Sequence, residues 1–441
     1  MFTKKDIARL MIPLVIEQVL AVAIGMADTM MVSSCGEAAV SGVSLVDSIN
    51  ILLINIFSAL ATGGAIICSQ FIGRDDKENT NKAAKQLVAS VFLVSSIIMV
   101  FCLFLNQPIL SVVFPNTDNS VMTNCVTYFF WSAISYPFLG LYNAGAALFR
   151  SMGNSKITMI VSVTMNLLNI TGNAILIFGF QMGVAGAAIA TLVSRIFGAV
   201  VMLWLLRFRS HGITIDSLTH WRLDFKLIRH ILAIGIPNGL ENGMFQIGKI
   251  LVQGFVASYG TVAIAANAVA NSIASVAVIP GAAVGLGMIT IVGQCVGAQK
   301  FKEAKQYIFK LTGLAYGMMI VVNILIVLLL NPLISLFSLS IETAAITYDL
   351  LLFHSIMSSI LWPAAFTLPN GLRAANDVRF TMFVSVLSMW LCRIGLSYVL
   401  GTMLNMQVFG IWIAMTIDWV FRIIFFLIRI CGNRWKQKSV Q

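Results

Sequence analysis

Asp28 stands about twenty residues into an apolar stretch that begins near Ile7, within the run IGMADTMMVSS at 24–34. A carboxylate held in hydrocarbon costs several kcal/mol even on the lower estimates, which marks it for holding a cation, carrying a proton or pairing with a base. Glu17 lies eleven residues earlier, three helical turns away, so both carboxylates share one helix face about 16 Å apart. Asn166, Asn169 and Asn173 recur at i, i+3 and i+7, an amide stripe that fits a helix lining a polar cavity. Amides that bond across helices as glue leave the same stripe. In the second half of the chain Glu241 and Lys249 stand two turns apart on roughly one face, either as a structural ion pair or as partners that exchange when a cation binds or leaves. Asp47 and Asp377 are further acidic positions, the latter beside Arg379.

The elements that must position these groups are membrane helices. Of 441 residues 59% are hydrophobic and only 10% charged, and the mean hydropathy is +0.92, far from a soluble domain with roughly 25% charged residues. Apolar runs long enough for about 30 Å of hydrocarbon occur near 7–33, 43–73, 87–114, 121–150, 156–179, 182–208, 226–259, 262–297, 305–337, 345–373, 378–404 and 407–431. The fold class expected is therefore an all-α polytopic membrane protein of twelve transmembrane helices. The N-terminal MFTKKDIARL runs straight into the first span with no small-residue cleavage site, as a retained helix would. Lys and Arg gather before helix 1, after even-numbered helices and at the C-terminus, whereas CGEAA, PNTDNS, GFQM, SYGT, LSIETA and TMLNMQ carry none. By the positive-inside rule both termini are cytoplasmic, Ser338 is external, and the net charge of +11 reports topology; no nucleic-acid partner is expected.

The two halves repeat each other. Pro13, Glu17, Gly36, Ala39, Gln70 and Gly73 recur as Pro237, Glu241, Gly260, Ala263, Gln294 and Gly297, each displaced by 224. LFRSMGNSKITMIVSV (148–163) matches GLRAANDVRFTMFVSV (371–386) at 223, and Gly186 matches Gly410 at 224. Asp47 falls one displacement from Asn271, which suggests inward-facing positions in both copies. Six helices per copy make parallel repeats about an axis along the membrane normal: two six-helix lobes, 1–215 and 216–441, related by pseudo-twofold symmetry and facing a central cleft.

GQCVGAQKFKEAK (293–305), AALFRSMGNSK, NGLRAANDVR and LIRICGNRWKQK resemble, in order and spacing, the signatures of the multidrug and toxic compound extrusion (MATE) family. That resemblance covers the whole chain, including Pro13. It implies that Asp28, fifteen residues after the first-helix proline, takes part in cation coupling and substrate release. The N-lobe cation site described for some members implies Asn169, Asn173 and Thr191 as its companions, with Asn173 replacing a second carboxylate. One carboxylate with amide and hydroxyl oxygens suits sodium, while a lone Asp suits a proton. The glutamate that many relatives carry eight residues after the helix-7 proline is Phe245 here. Tyr128 matches a tyrosine of relatives and would line the cleft, and Asp377 matches the helix-10 aspartate. Pro13 and Pro237 are the expected helix hinges.

The only Walker-like match, GMFQIGKI (243–250), lacks the Ser/Thr after its lysine and lies inside a helix, so no nucleotide site is expected. Seven scattered cysteines and four dispersed histidines form neither a disulfide framework nor a catalytic cluster, so the chain is not expected to be an enzyme. Arg195, Arg393, Arg422 and Asp418 are expected in structural pairs or snorkelling. The function that follows is a secondary active antiporter, monomeric and without cofactors, that uses Na+ or H+ to export drugs or toxic organic compounds from the cell. A lipid-linked saccharide flippase of the same superfamily is the alternative, against which twelve helices and mixed charge argue.

Overall fold

The computed structural model describes residues 1–115, 117–208, 212–215, 223–337, 339–432 and 434–438. Ser338 lies outside the described residues, as do His211 and His220 of the four histidines, Arg209 and Arg222 of the basic residues after helix 6, and the side chain of Lys438. By packing, the chain forms two compact units, Lys4–Gly239 and Leu240–Gln441, the second also including Met1–Thr3.

Twelve helical rods follow one another among the described residues. Nine contain stretches long and apolar enough to cross a membrane: α2 (Glu37–Gly73), α3 (Lys77–Phe104), α5 (Ser155–Gly179), α6 (Gly183–Leu205), the second part of α8 (Ile279–Gly297), α9 (Phe301–Leu328), α10 (Ile341–Ala374), α11 (Val378–Met403) and α12 (Gln407–Cys431). The other three, α1 (Lys4–Ser33), α4 (Asn119–Ser151) and α7 (Phe225–Ser258), carry much of the chain's intramembrane polarity. Three expected boundaries need correction, one of them the run 305–337, which the structure divides into α9, ending at Leu328, and a short helix Leu330–Ser335. α3 starts ten residues before position 87, because Asp76 caps it by accepting from the Asn79 amide at 3.0 Å, and it ends at Phe104, with a short helix Asn106–Val113 beyond. α8 is not one run over 262–297 but breaks at Val278 into Thr261–Ala277 and Ile279–Gly297, since Pro280 has no N–H and suits only a helix start.

The duplication extends to the backbone. Gly36 and Gly260 have φ near +98° and +94°, and Gly183 and Gln407 have +55° and +49°. Asp75 pairs in the same way with Gln299, Gly153 with Asn376, and Gln181 with Asn405, all left-handed. These turns close by recurring bonds: the Asn154 N–H donates to the Phe149 carbonyl at 2.9 Å and the Asp377 N–H to that of Leu372 at 3.0 Å, each satisfying a helix-end carbonyl.

In the first unit α4 is central, packed against α2, α3 and α6, while α1 lies on α5. Its core is built from Phe57, Phe129, Tyr136, Leu110 and Val46. In the second unit α10 packs against α8, α9 and α12 around Trp412, Trp419, Leu350 and Leu351. Lipid tails are as apolar as these side chains, so close fit rather than water exclusion holds such helices together. Gly186 shows this: a Cβ there would lie 3.1 Å from the Leu176 backbone, and at its repeat mate Gly410 the distance to Leu400 would be 2.8 Å.

One difference between the copies is a matter of helix winding. α5 ends in a π-helical turn, Ala174–Gly179, whose repeat mate is the π-turn Tyr398–Met403. α11 has a further π-turn, Met389–Gly395. It falls between Val386, where the displacement is 223, and Gly410, where it is 224. The second copy holds one more residue there, and a single wider turn absorbs it.

Candidate functional site

Five helices of the first unit deliver polar side chains to one cavity of about 120 Å³, walled by Asp28 from α1, Asp47 from α2, Tyr128 from α4, Asn173 from α5 and Thr191 from α6. At about 30 Å³ per water it has room for roughly four. Asn173 donates its amide to Asp28 Oδ1, and its own Oδ1 is buried without a hydrogen-bond partner. The neighbours of Asn169 set its amide: the NH2 faces both Asp28 oxygens at 2.8 and 3.0 Å, and Oδ1 accepts from Thr191 Oγ1 at 3.0 Å. Asn166, the third amide of the stripe, bonds instead within its own helix to Ser162 at 3.4 Å.

Behind this group Asn50 donates to Asp47 at 3.1 Å and accepts from the Tyr136 hydroxyl at 2.8 Å, and Tyr128 lines the same cavity as Asp47. Arg195, one turn beyond Thr191, donates to Ser135 at 2.6 Å and acts electrostatically on both Asp28 and Asp47. Two carboxylates against one guanidinium leave a formal charge of −1. The site is thus complementary to one monovalent cation or one proton, and its carboxylate, amide and hydroxyl oxygens form a hard-ligand set. The unpartnered Asn173 oxygen beside Asp28 fits a cation directly: it is a buried acceptor that nothing else satisfies.

The other candidates lie in separate places. Glu17 meets Arg150 at 3.6 Å and accepts from Thr158 at 3.1 Å. Glu241 meets Arg373 at 2.6 Å, not Lys249, whose ammonium lies 5.4 Å from the Phe245 ring centroid. Two turns of helix bring Lys249 to the neighbourhood of Glu241 on a wheel diagram, but an arginine on another helix reaches the carboxylate through one Nη, its other Nη bonding Asn370 at 2.7 Å. Asp377 holds Arg429 through two bonds of 2.6 and 3.1 Å. Asn271 donates to the Asn267 carbonyl at 2.8 Å. Asp418 binds Arg422 at 3.0 Å and faces Arg393 at 3.8 Å, the structural pairing expected of these residues. Pro13 leaves the Arg9 carbonyl without its helical donor, and the Ser155 hydroxyl sits beside it, 3.5 Å from Arg9 O and 2.5 Å from Leu10 O. Sequence reasoning missed Asn50 and Tyr136 and gave Arg195 no place in this cluster. The signal available was spacing, Asn50 one turn after Asp47 and Arg195 one turn after Thr191.

Residues 13–175 and again 237–399 match the family model described as MatE. The chain belongs to the MatE family. Both matches start at the paired prolines and are offset by the same 224 residues, so the internal duplication is that of MATE proteins, which are transporters and not enzymes. Among MATE-like relatives, "Uncharacterized transporter YisQ" of Bacillus subtilis is 29% identical over 97% of this chain and 92% of its own length. "Probable multidrug resistance protein NorM" of Thermotoga maritima is 24% identical over 99% and 94%. The solved structure "Crystal structure of MATE in the bent conformation" superposes with a TM-score of 0.89 at 19% identity, covering 99% of this chain and 97% of that one. The twelve-helix, two-lobe MATE fold expected from the sequence is the fold observed.

Proposed function

We propose that this MATE transporter is a secondary active antiporter that exports organic compounds, often cationic or amphipathic, in exchange for Na+ or H+. It works as a monomer in the cell membrane, with both termini cytoplasmic and with lobes 1–215 and 216–441 alternating access. The observation that carries the reading is the buried Asn173 oxygen left without a partner beside Asp28 in a cavity of net negative charge. Relatives named for multidrug resistance support the substrate class and do not favour the saccharide flippase.

In the state described, the Asn169 and Asn173 amides point N–H groups at Asp28. A sodium ion entering would draw in the Asp28 oxygens, Asn173 Oδ1 and the Thr191 hydroxyl, and both amides would turn. A proton on Asp28 would remove the charge those N–H groups satisfy. Either event loosens the tie between α1 and α5, and α1 can answer at Pro13, where its carbonyls already lean on Ser155 in place of a helical bond. Efflux of a fluorescent organic cation from proteoliposomes, driven separately by sodium and by pH gradients, tests the reading. Sodium should accelerate efflux at fixed pH, and Asn173→Leu should remove that response. A rate that ignores sodium but follows the pH gradient assigns Asp28 to protons alone, and a rate that ignores both refutes antiport. For orientation, a cysteine replacing Met406 should react with an impermeant maleimide from outside only.

A further inference from the structure

The second unit gathers three cations around one aromatic ring. Lys249 Nζ, Arg393 Cζ and Arg422 Cζ lie 5.4, 5.3 and 5.6 Å from the Phe245 centroid. Arg422 also lies 5.0 Å from the Phe366 centroid. Gly248 makes the gathering feasible: a Cβ there would fall 2.2 Å from Met389, so α7 can approach α11 at the π-turn that carries Arg393. One carboxylate, Asp418, faces this group among the described residues, and it is fully buried. Three positive charges against one negative leave an excess of two in the part of the protein where uncompensated charge is most costly.

The donors divide unequally. Arg422 is satisfied, donating to Asp418 at 3.0 Å and to the Ser385 carbonyl at 3.2 Å. Arg393 stands 3.8 Å from Asp418 Oδ2, beyond hydrogen-bond reach, and that oxygen has no hydrogen-bond partner. No hydrogen bond among the described residues engages Lys249 Nζ or the Arg393 guanidinium. Close by, Phe366 stacks on Trp362 at 5.0 Å and meets the edge of Trp419 at 6.2 Å, and the buried Trp419 Nε1 has no acceptor. Unused charged donors beside aromatic faces suit one kind of ligand: an anionic head, which takes charge-assisted bonds from ammonium and guanidinium, on an aromatic body, which packs on the rings.

We propose that Lys249 and Arg393 form a binding site for the carboxylate, sulfonate or phosphate head of an aromatic or amphipathic organic anion, with Phe245 and Phe366 receiving its body. The transporter thus takes anionic or zwitterionic compounds besides cations. This rests on the transport reading but not on its coupling ion, and a binding experiment separates the two. Purified protein in phosphatidylcholine nanodiscs is titrated calorimetrically with 2-naphthoate and with 2-naphthylmethylammonium, which share one aromatic body and differ in charge. The parent should bind naphthoate, and Lys249→Gln and Arg393→Gln should each weaken it about tenfold, the loss of one charge-assisted contact. Neither change should weaken the ammonium probe. Asp28→Asn should leave naphthoate binding intact, so a failure of the coupling reading would not touch this one. Naphthoate should raise the thermal midpoint of the parent and not that of Lys249→Gln, which decides the matter should Arg393→Gln fail to fold. Replacing some phosphatidylcholine with phosphatidylglycerol distinguishes sources. Competition with naphthoate would assign the two cations to an anionic lipid head, and its absence to a soluble anion, both within the proposal. Naphthoate affinity unchanged in Lys249→Gln, or an equal loss of both probes, overturns it.

Discussion

Where α1 carries Asp28, the equivalent position of α7 is Val252, and where α6 carries Thr191 and Arg195, α12 carries Met415 and Trp419. In the other direction Lys249 stands for Gly25, Arg422 for Gly198 and Asp418 for Ser194. The copies therefore put opposite chemistry at corresponding heights: oxygens and net negative charge around a cavity in the first, cations packed on rings in the second. Away from these levels they agree. Glu17 with Arg150 and Glu241 with Arg373 are the same buried ion pair made twice, and the left-handed turns recur in register. The shared parts are scaffold, kept because each fixes the end of a helix, and the parts that differ have been released to specialise.

The contrast is broken most severely at Asp28. Asp28→Asn keeps size and most hydrogen bonding but removes the charge, so the protein should insert normally and yet lose gradient-driven efflux, measured in proteoliposomes at matched protein density. Pumping at the parental rate would return the first half to plain scaffold and make Glu17 or Glu241 the next carboxylate to test. Asp418→Asn should act oppositely, on folding: it strips from Arg393 and Arg422 the one counter-charge they have among the described residues, an uncompensated buried pair that costs about 3–5 kcal/mol. The folded yield in detergent should fall sharply, which size-exclusion chromatography reads.

The shared ion pairs should differ in strength. Glu241→Gln gives up a 2.6 Å contact with Arg373, whereas Glu17 is 3.6 Å from Arg150 and retains Thr158. A charged hydrogen bond is worth about 1.5–3 kcal/mol, so the thermal midpoint should drop more for Glu241→Gln than for Glu17→Gln. The reverse order would mean that the first pair carries the scaffold. The smallest effect is expected at Gln407, left-handed at φ +49° where the first copy has Gly183. A side chain there costs about 1–2 kcal/mol, offset by glycine's looser unfolded chain, so Gln407→Gly should stabilise by about 0.5 kcal/mol and Gly183→Ala should destabilise.

Much of this was legible in the sequence, because hydrocarbon imposes a single simple rule on helix length and a duplication repeats whatever it copies. The spans, the pairing of the halves and the convergence of Asp28, Asn169, Asn173 and Thr191 follow from the sequence and its family resemblance. The partner of Glu241 was legible in principle: Glu17 and Glu241 match, and so do Arg150 and Arg373, so one ion pair implies the other. Helix spacing favoured Lys249 because it sees only neighbours on one rod, and Arg373 is 132 residues away. The break of α8 was signalled by Pro280. The role of Arg195 was not, since a lone intramembrane arginine announces its cost but not which carboxylates it serves.

The extra π-turn at Met389–Gly395 also records history. Once Gly410 had to meet Leu400 as Gly186 meets Leu176, a residue gained in α11 could not be pushed towards the next loop, and it stayed between Val386 and that contact. The offset of 223 on one side and 224 on the other is the trace of a single codon gained or lost after the gene doubled. It also divides the copies for good. A first-copy α5 set in place of α11 would offer Gly248 an ordinary α-turn where it now meets a wide one, so recombination that replaced that stretch alone would yield a helix that no longer fits its neighbour.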